Sequence, residues 1–307
     1  MRTRREIHQG DRIFHGLLSW TGFLVLLLLV AIAVQLFRLS WPAIRQFGFG
    51  FFYKSDWDPV QGVFGALPFI YGTVVSSLLG LLIAAPISIG IALFLNEVAE
   101  SRLSSVVGFL VEMLAAIPSV VYGLWGIFVL APWLRVSVEP FLKKHLEGVP
   151  VVSALFSGPA YGVGMLAAGL ILSMMITPTV SAVCREVFRA VPETQREAAR
   201  ALGATEWETM SLAVLKSSRS GVLGAVILGL GRALGETMAV TMVIGNRGQI
   251  MASLFAPAQT MASVVANEYA EASGDLHIAA LAFVGLALFA VSFFMNSTAR
   301  FLVWRLK

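Results

Sequence analysis

The sequence predicts an all-α integral membrane protein with about six transmembrane helices. Of its 307 residues, 57% are hydrophobic and only 13% are charged, whereas a soluble globular domain carries about 25% charged residues. The mean hydropathy is +0.81. The apolar residues are gathered in long uncharged runs, and a helix needs about 20 such residues to cross the hydrocarbon core. These observations indicate a chain whose main solvent is lipid.

Composition argues against three other classes of protein. Cys184 is the only cysteine, so no internal disulfide can form. The net charge of +4 comes from Lys and Arg in short loops between apolar runs, which indicates membrane topology rather than nucleic-acid binding. The histidines are far apart and lack ligand spacing, so we expect no metal site. They are His8, His15, His145 and His277.

Six runs along the chain are candidate membrane spans. The first has no charge, is longer than a signal-peptide core and lacks a small-residue cleavage site, so we expect an uncleaved anchor. The fourth is broken by a Gly-Pro pair, and its spanning part is expected to start near Tyr161. The runs are Gly16–Phe37, Pro59–Asn96, Met113–Leu134, Gly148–Cys184, Ser220–Asn246 and Ile278–Ala299.

The distribution of Lys and Arg predicts the orientation. An even number of spans places both termini on one side of the membrane. With the termini inside, 14 Lys and Arg residues lie in cytoplasmic segments and seven in outer ones. The cytoplasmic set includes the tail residues Arg2, Arg4, Arg5 and Lys307. Because positive charge is enriched on the cytoplasmic side, we expect a multi-pass inner-membrane protein with both termini in the cytoplasm.

The connecting segments differ in character. The outer segment Ser40–Pro68 is rich in aromatic residues, which suits a position at the headgroup interface. The other outer loops are Trp133–Ala160 and Arg247–His277, and Arg185–Arg219 is the only long cytoplasmic loop. The aromatic residues are Trp41, Phe47, Phe49, Phe51, Phe52, Tyr53 and Trp57.

Proline and glycine are frequent inside the predicted spans. Pro86, Pro118 and Pro178 fall within helices, where neighbouring helices can satisfy the carbonyls that a kink releases. Gly231 and Gly235 have the spacing of a close helix–helix contact. Ordinary bundle packing accounts for each residue singly, and together they suit a bundle that moves between two states.

The long cytoplasmic loop predicts two short helices joined by a sharp turn. Pro192 suits the first helical position, and Glu193 the positive end of the helix dipole. Gly203 can adopt the left-handed conformation that ends a helix, and Thr205 with Glu208 has the spacing of a capping box. On physical grounds alone, such a pair is equally well an amphipathic connector on the bilayer surface.

This loop resembles the EAA loop of ABC importer permeases. The resemblance rests on Glu197, Ala198 and Ala199, followed after three residues by Gly203. It implies a coupling helix that docks into a groove on an ATPase subunit, with alanines for close contact and glycine at the bend. The family pattern often ends in Leu-Pro, whereas a lysine follows Leu215 here. We call residues 191–215 the EAA loop.

Three further stretches are similar to permeases of the phosphate-specific Pst system. They are Phe64–Glu97, Glu112–Gly126 and Gly229–Val240, and the last is closer to PstC-type than to PstA-type subunits. The resemblance implies a type I (MetI-like) permease bundle that imports inorganic phosphate by alternating access. Its implied partners are a PstA-type second permease, a PstB-type ATPase dimer and an external PstS-type phosphate-binding protein. We divide the chain into an N-terminal part (1–68), a permease domain (69–299) and a C-terminal tail (300–307).

Two charges lie inside the fifth predicted span. A lone Arg at a helix centre costs about 2.5–3.5 kcal/mol on insertion scales, so Arg232 is expected to face the bundle interior or a wet cavity. Glu236 lies four residues on, which would place both on one helix face where they can pair. One hypothesis is a buried ion pair that fixes helix register.

The alternative hypothesis assigns Arg232 and Glu236 to the substrate pathway. The guanidinium of Arg232 matches phosphate oxygens with two parallel hydrogen bonds and keeps its charge. Glu236 either holds the guanidinium until the anion arrives or accepts a hydrogen bond from protonated phosphate, which sulfate does not offer. Glu112 is a weaker candidate, placed near a helix start where the dipole favours an acid.

The sequence contains no phosphate-binding loop of the GxxxxGK[ST] type and no nucleophile–base arrangement. We therefore expect a transport subunit that is not an enzyme and binds no cofactor, with ATP used by partner subunits. Three alternatives remain open at this point: a permease for sulfate or molybdate, an ion-driven carrier that needs no ATPase, and a membrane sensor or assembly subunit that transports nothing.

Overall fold

A computed structural model describes residues 9–305 except Glu147, Pro150 and Val151. Within these residues the chain forms helices and no strands, which confirms the all-α class. His8, the tail residues Arg2, Arg4 and Arg5, and Lys307 lie outside the described residues.

Fourteen α-helices follow one another along the described residues, with short π-helical and 3-10 segments between some of them. The α-helices are α1 (Gln9–Phe47), α2 (Leu67–Leu93), α3 (Ser101–Ala116), α4 (Ser119–Trp125), α5 (Ala131–Trp133), α6 (Glu139–Leu146), α7 (Val152–Leu155), α8 (Met165–Arg189), α9 (Glu193–Ala201), α10 (Glu206–Glu208), α11 (Arg219–Leu234), α12 (Met238–Val243), α13 (Met261–Glu268) and α14 (Asp275–Arg305). The π-helical segments are Phe94–Val98, Gly126–Leu130, Leu134–Val138 and Thr209–Leu215, and the 3-10 segment is Gly48–Phe52.

Five helical runs in the described part of the chain are long and apolar enough to cross a membrane, and a bent pair of helices brings the number to six. The five are Ile13–Phe52, Leu67–Val98, Ser119–Leu146, Met165–Arg189 and Asp275–Phe301, and the bent pair joins Glu206–Leu215 to Arg219–Leu234 at 73°. The prediction of about six spans is confirmed, but the third and fifth predicted spans differ in detail.

The third span does not begin at Met113. Helix α3 ends at Ala116, and Ile117 and Pro118 are extended, with ψ angles of 127° and 141°. A proline disfavours helical geometry at the residue before it, which explains the break. The span starts at Ser119 and continues to Leu146. Pro118 therefore comes directly before a helix, and the prediction that it lies inside a helix is wrong.

The other two prolines behave as predicted. Pro86 lies inside α2 and Pro178 inside α8. Pro178 is at least nine-tenths buried, and α2 and α11 both pack against the helix that contains it. Pro178 thus lies where neighbouring helices surround the backbone, whereas Pro86 is exposed on its helix.

The fifth span is interrupted in the middle of its apolar run. Helix α11 ends at Leu234, and α12 begins at Met238. Gly235 between them is a poor helix former. The Thr237 hydroxyl donates to the Gly235 carbonyl at 3.3 Å, and the Glu236 carboxylate accepts from the Ala239 N–H at 3.3 Å. These side-chain bonds replace backbone bonds that a continuous helix would make, so the predicted unbroken helix is wrong.

Helix α8 is the centre of the bundle. Helices α2, α11 and α3 pack against it, and most of its side chains are buried in one apolar cluster. Close approach depends on glycines: a Cβ on Gly80 of α2 would lie 2.7 Å from Leu172 Cβ of α8. A Cβ on Gly229 of α11 would lie 2.6 Å from a methyl carbon of Val180 of α8.

The predicted packing pair of Gly231 and Gly235 is not where α11 comes closest to its neighbours. A Cβ on Gly231 would make only ordinary contact with Asn296, at 3.4 Å, and one on Gly235 would meet only carbonyl oxygens of its own helix. The glycines of α11 that permit close packing on α8 are Gly229 and Gly221, where a Cβ would lie 2.5 Å from a methyl carbon of Val187. Gly229 lies two residues before Gly231 and therefore points to a different side of the helix.

The aromatic segment after α1 is more buried than predicted. Trp41, Phe49 and Tyr53 are exposed, as an interfacial position requires. Phe51, by contrast, is fully buried and stacks on Phe283 of α14 with ring centroids 4.3 Å apart. The interfacial prediction is therefore wrong for Phe51, because the segment folds back onto the packed pair of α1 and α14.

Helix packing predicts opposite effects for two glycines of α11. Gly229→Ala should lower the unfolding temperature, because the added methyl collides with the buried β-branched side chains of Ile176 and Val180, and overpacking costs about 1–3 kcal/mol. Gly224→Ala meets nothing within 4 Å and should be neutral or stabilising by up to about 1 kcal/mol. Thermal unfolding of both variants in the same detergent measures this. Equal shifts in the two variants would contradict the packing described here.

Candidate functional site

The EAA loop forms two helices with a sharp turn between them, as the sequence predicts. Helix α9 begins at Glu193, one residue later than expected, since Pro192 is the extended residue that precedes it. Gly203 has a φ of +85° and reverses the chain. Thr205 and Glu208 form both hydrogen bonds of a capping box, at 2.8 and 3.3 Å. Hydrogen bonds from the backbone and then the side chain of Thr205 lower the pKa of Glu208.

The EAA loop presents an apolar surface at the tip of the bundle. Glu197 and Ala198 are exposed, and Ala199 is half-buried. Beyond them, the side chains of Leu202 and Trp207 are 90% and 69% exposed on either side of the turn. Large apolar side chains held in the open by a well-ordered turn are typical of a surface that a partner covers.

Arg196 of α9 is the residue that attaches the EAA loop to the bundle. It is buried, and its guanidinium makes two hydrogen bonds to the carboxylate of Glu97, from Nη2 at 2.9 Å and from Nε at 3.1 Å. It also donates to the carbonyls of Val191 at 2.7 Å and Phe188 at 3.0 Å. A further bond, at 3.3 Å, reaches Glu193. Hydrogen bonding to Glu97 raises the pKa of Arg196, which therefore remains charged.

This network connects three elements at one point. Glu97 lies in the π-helical segment that continues α2, Phe188 is near the end of α8, and Arg196 is in α9. Both ends of the ion pair are shielded, with side-chain exposures of 8% for Arg196 and 7% for Glu97. Arg196 thereby holds α9 against the ends of two membrane-crossing helices.

Sequence reasoning missed both residues of this pair. Arg196 is one of the cytoplasmic positive charges of the predicted topology, and Glu97 is the last residue of the stretch Phe64–Glu97 that is similar to Pst permeases. One signal was available: Glu97 is the first charge after the uncharged run Pro59–Asn96. An acid that ends a span inside a bundle requires a cationic partner.

Arg232 and Glu236 are close in sequence but do not pair. Arg232 lies in the last turn of α11, and its Nη1 donates to the Thr179 hydroxyl of α8 at 3.1 Å. The Glu236 carboxylate instead accepts the Ala239 N–H of α12. None of the ion pairs formed within residues 9–305 joins the two side chains. The predicted pairing is wrong because the helix ends at Leu234, between them.

Glu112 has a different environment from the one predicted. It lies in the second half of α3, not near its start. Its carboxylate is 3.6 Å from Nη1 of Arg185 on α8, and the Glu112 side chain is 61% exposed against 12% for Arg185. The guanidinium passes over Gly108, where a Cβ would lie 2.2 Å from Nη1. Glu112 thus takes part in the contact between α3 and α8.

The predicted site residues of the EAA loop and of the fifth span are connected by one chain segment, whereas Glu112 lies apart from both on α3. The EAA loop leads through the π-helical segment Thr209–Leu215 directly into α11, which carries Arg232 at its far end. The two parts of this segment meet at 73°, and α11 packs against α8. The exposed docking loop and Arg232, whose side chain is also exposed, thus belong to one continuous stretch of chain.

Comparisons with known proteins agree with this arrangement. Residues 84–307 match the family described as "Binding-protein-dependent transport system inner membrane component". The chain is 45% identical over 99% of its length to the "Phosphate transport system permease protein PstC" of Mesorhizobium japonicum, covering 93% of that protein. It is also 45% identical over 99% of its length to the protein of the same name in Pasteurella multocida, covering 95% of it.

A solved structure shares the fold. The crystal structure of a bacterial alginate ABC transporter in complex with an alginate pentasaccharide-bound periplasmic protein contains a chain that superposes with a TM-score of 0.61. The superposition covers 99% of both chains at 18% sequence identity. The type I permease bundle expected from the sequence is confirmed.

The Arg196 network predicts a local effect on the EAA loop. Arg196→Ala leaves the buried Glu97 carboxylate without its partner, and breaking such a pair costs about 3–5 kcal/mol. Hydrogen exchange of α9 amides should accelerate strongly. Arg200→Ala is the matched control on the same helix: its side chain is 45% exposed, and surface pairs contribute about 0–1 kcal/mol. Similar exchange in the two variants would show that Arg196 does not anchor the loop.

Proposed function

Since the chain belongs to the binding-protein-dependent transport system inner membrane components, and among them to the PstC phosphate permeases, we propose that it is the permease subunit of an ATP-driven phosphate importer. The observation that carries this proposal is the similarity to permeases named for phosphate transport along almost the entire chain. The exposed EAA loop adds a structural reason, because a permease without an ATP site must receive its energy from a partner.

The partners follow from the same family. We expect a PstA-type second permease, a PstB-type ATPase dimer and a PstS-type external phosphate-binding protein, in the plasma membrane of a bacterium. ATP is used by the ATPase subunits, and this chain binds no cofactor. We expect the EAA loop to meet an ATPase in the cytoplasm, and the charge distribution predicts that both chain termini lie on the same side.

Arg232 is the residue that we expect phosphate to meet within the membrane. In the described part of the chain its guanidinium has one hydrogen bond, to Thr179, so most of its donors are available to an anion. Glu236 is separated from Arg232 by the helix break and does not hold the guanidinium. The remaining role for Glu236 is to accept a hydrogen bond from protonated phosphate, which favours phosphate over sulfate.

The transport cycle uses the connections described above. When the ATPase subunits close on ATP, they move α9, and the Arg196–Glu97 pair carries that movement to α2. The same movement also tilts α11, because the EAA loop joins α11 at the 73° bend. The interruption at Gly235 lets α11 move relative to α12, so that Arg232 is exposed first to one side of the membrane and then to the other.

Phosphate uptake tests the substrate and the role of Arg232 together. In cells without other phosphate carriers, deletion of this chain should abolish radiolabelled phosphate uptake, and excess sulfate or molybdate should not compete. Arg232→Ala should reduce uptake by about two orders of magnitude at normal membrane abundance, since each charge-assisted hydrogen bond contributes about 1.5–3 kcal/mol. Lys144→Ala, which removes an exposed cation, is the control.

The Glu236→Gln variant in the same assay distinguishes a role of Glu236 in selecting phosphate over sulfate from a purely structural role. We expect phosphate uptake to fall while sulfate becomes a competitor. Equal loss of all uptake, or no change in competition, would refute a role for Glu236 in discrimination. Undiminished phosphate uptake in the deletion strain would refute the proposed function itself.

Docking of the ATPase depends on the apolar tip of the EAA loop. Leu202→Glu places a charge where we expect a desolvated contact, and anchor residues of an interface contribute about 2 kcal/mol or more. The ATPase subunit should then co-purify at least about tenfold less well. Arg102→Ala alters an exposed residue at the start of α3 outside the loop and should not affect recovery. Equal recovery with Leu202→Glu would place the docking surface elsewhere.

A further inference from the structure

Two segments at the end of the bundle opposite the EAA loop are joined into a rigid frame. The N–H groups of Gly164, Met165 and Leu166, at the start of α8, donate to carbonyls of the segment 243–256 at 2.8–3.1 Å. Leu254 in turn donates to the carbonyl of Leu155 at 2.7 Å. Loops are usually mobile, but these are fixed by backbone hydrogen bonds on both sides.

The frame surrounds a cavity of about 200 Å³. Side chains with hydrogen-bonding groups line it, and no Asp or Glu is among the lining residues. Since a water molecule occupies about 30 Å³ of the liquid, the cavity has room for a tetrahedral oxyanion with some of its hydration. The polar and charged lining residues are Ser157, Tyr161, Arg247, Gln249 and Ser253.

Arg247 is the only cation in this cavity lining, and its charge is not neutralised by the described residues. Within residues 9–305 its guanidinium makes no hydrogen bond or ion pair. A lack of partners is common for an arginine on a mobile surface segment, but the backbone around Arg247 is held in place. The Arg247 N–H donates to the carbonyl of Ala258 at 3.1 Å.

The two residues before Arg247 have uncommon backbone geometry. Gly245 has a φ of +90°, and a Cβ there would lie 2.7 Å from Cβ of Pro257. Asn246 has a φ of +49°, and its side chain donates to the Thr241 carbonyl at 2.8 Å. A non-glycine residue in the left-handed region costs about 1–3 kcal/mol, and such strain persists where the structure must hold a group in one position. Here it directs the chain so that Arg247 borders the cavity.

We infer that this cavity is an outer receiving site for inorganic phosphate, which the anion occupies before it reaches Arg232. This inference rests on the proposed function and adds a second anion site to it. Arg247 supplies the planar donor pair that phosphate oxygens fit, while Tyr161 and Gln249 add neutral donors at the rim. Lys143, whose Nζ reaches the Gly158 carbonyl at 3.3 Å beside the cavity, adds positive potential.

The position of the cavity suits this role. It lies at the start of α8, whereas Arg232 is bonded to Thr179 in the middle of that helix. The segment from Arg232 through α12 to Arg247 connects the two arginines directly. Phosphate released outside would therefore meet Arg247 first and Arg232 second.

The test is equilibrium binding of radiolabelled inorganic phosphate to the complete transporter in nanodiscs without the external binding protein. Five complexes are compared: wild type, Arg247→Ala, Arg247→Lys, Arg232→Ala and the control Lys144→Ala, which removes an exposed cation on the same side. We expect Arg247→Ala to weaken binding at the outer site about tenfold or more. Arg232→Ala should lose the inner site and keep the outer one, and Lys144→Ala should bind as wild type does. Arg247→Lys should restore part of the affinity, because it keeps the charge without the planar donor pair.

A second measurement separates phosphate binding from protein docking. The affinity of the phosphate-loaded binding protein for each complex should be the same in wild type and Arg247→Ala. Loss of docking in Arg247→Ala would mean that Arg247 pairs with an acid on the binding protein, which overturns the inference. So would unchanged phosphate binding in Arg247→Ala, or absence of saturable binding in a wild-type complex that transports phosphate. A wild-type complex that transports no phosphate would overturn the proposed function instead.

Discussion

The structure depends most on the buried ion pair between Glu97 and Arg196. Placing two charges away from water is costly, and the cost is offset here because the guanidinium also bonds two backbone carbonyls, of Phe188 and Val191. Such a pair contributes little net stability compared with apolar packing, but it fixes geometry, since neither charge can remain buried alone. It determines where α9 sits relative to α2 and α8.

Because α9 is held against α2 and α8, the other features of the bundle can be related to its position. Helix α8 is largely buried, so we expect movement to occur in the helices around it. The chain supplies two places for movement: the 73° bend before α11 and the interruption at Gly235 after it. Arg232 lies between them, bonded to α8 through Thr179. The EAA loop and Arg232 are therefore parts of one chain segment, which we propose moves during transport.

The sequence predicted what depends on composition and local spacing. Apolar runs identified the spans, and the turn at Gly203 with its capping box at Thr205 followed from residue type alone. It did not predict contacts between distant segments, such as Glu97 with Arg196, which are 99 residues apart. The predicted pairing of Arg232 with Glu236 is also wrong, because a spacing of four residues brings two side chains together only on a continuous helix. Only the side-chain bonds around Gly235 reveal that the helix ends there.

The most direct test of the central claim is the amount of phosphate transported per ATP hydrolysed by the reconstituted complex. It should be compared between wild type, Arg196→Ala and the control Arg200→Ala, in complexes shown to contain all subunits. If the buried pair carries the movement of the EAA loop into the bundle, Arg196→Ala should continue to hydrolyse ATP while its transport falls by at least about tenfold. Arg200→Ala should behave as wild type. An unchanged ratio in Arg196→Ala would contradict the account and reduce the pair to a structural contact.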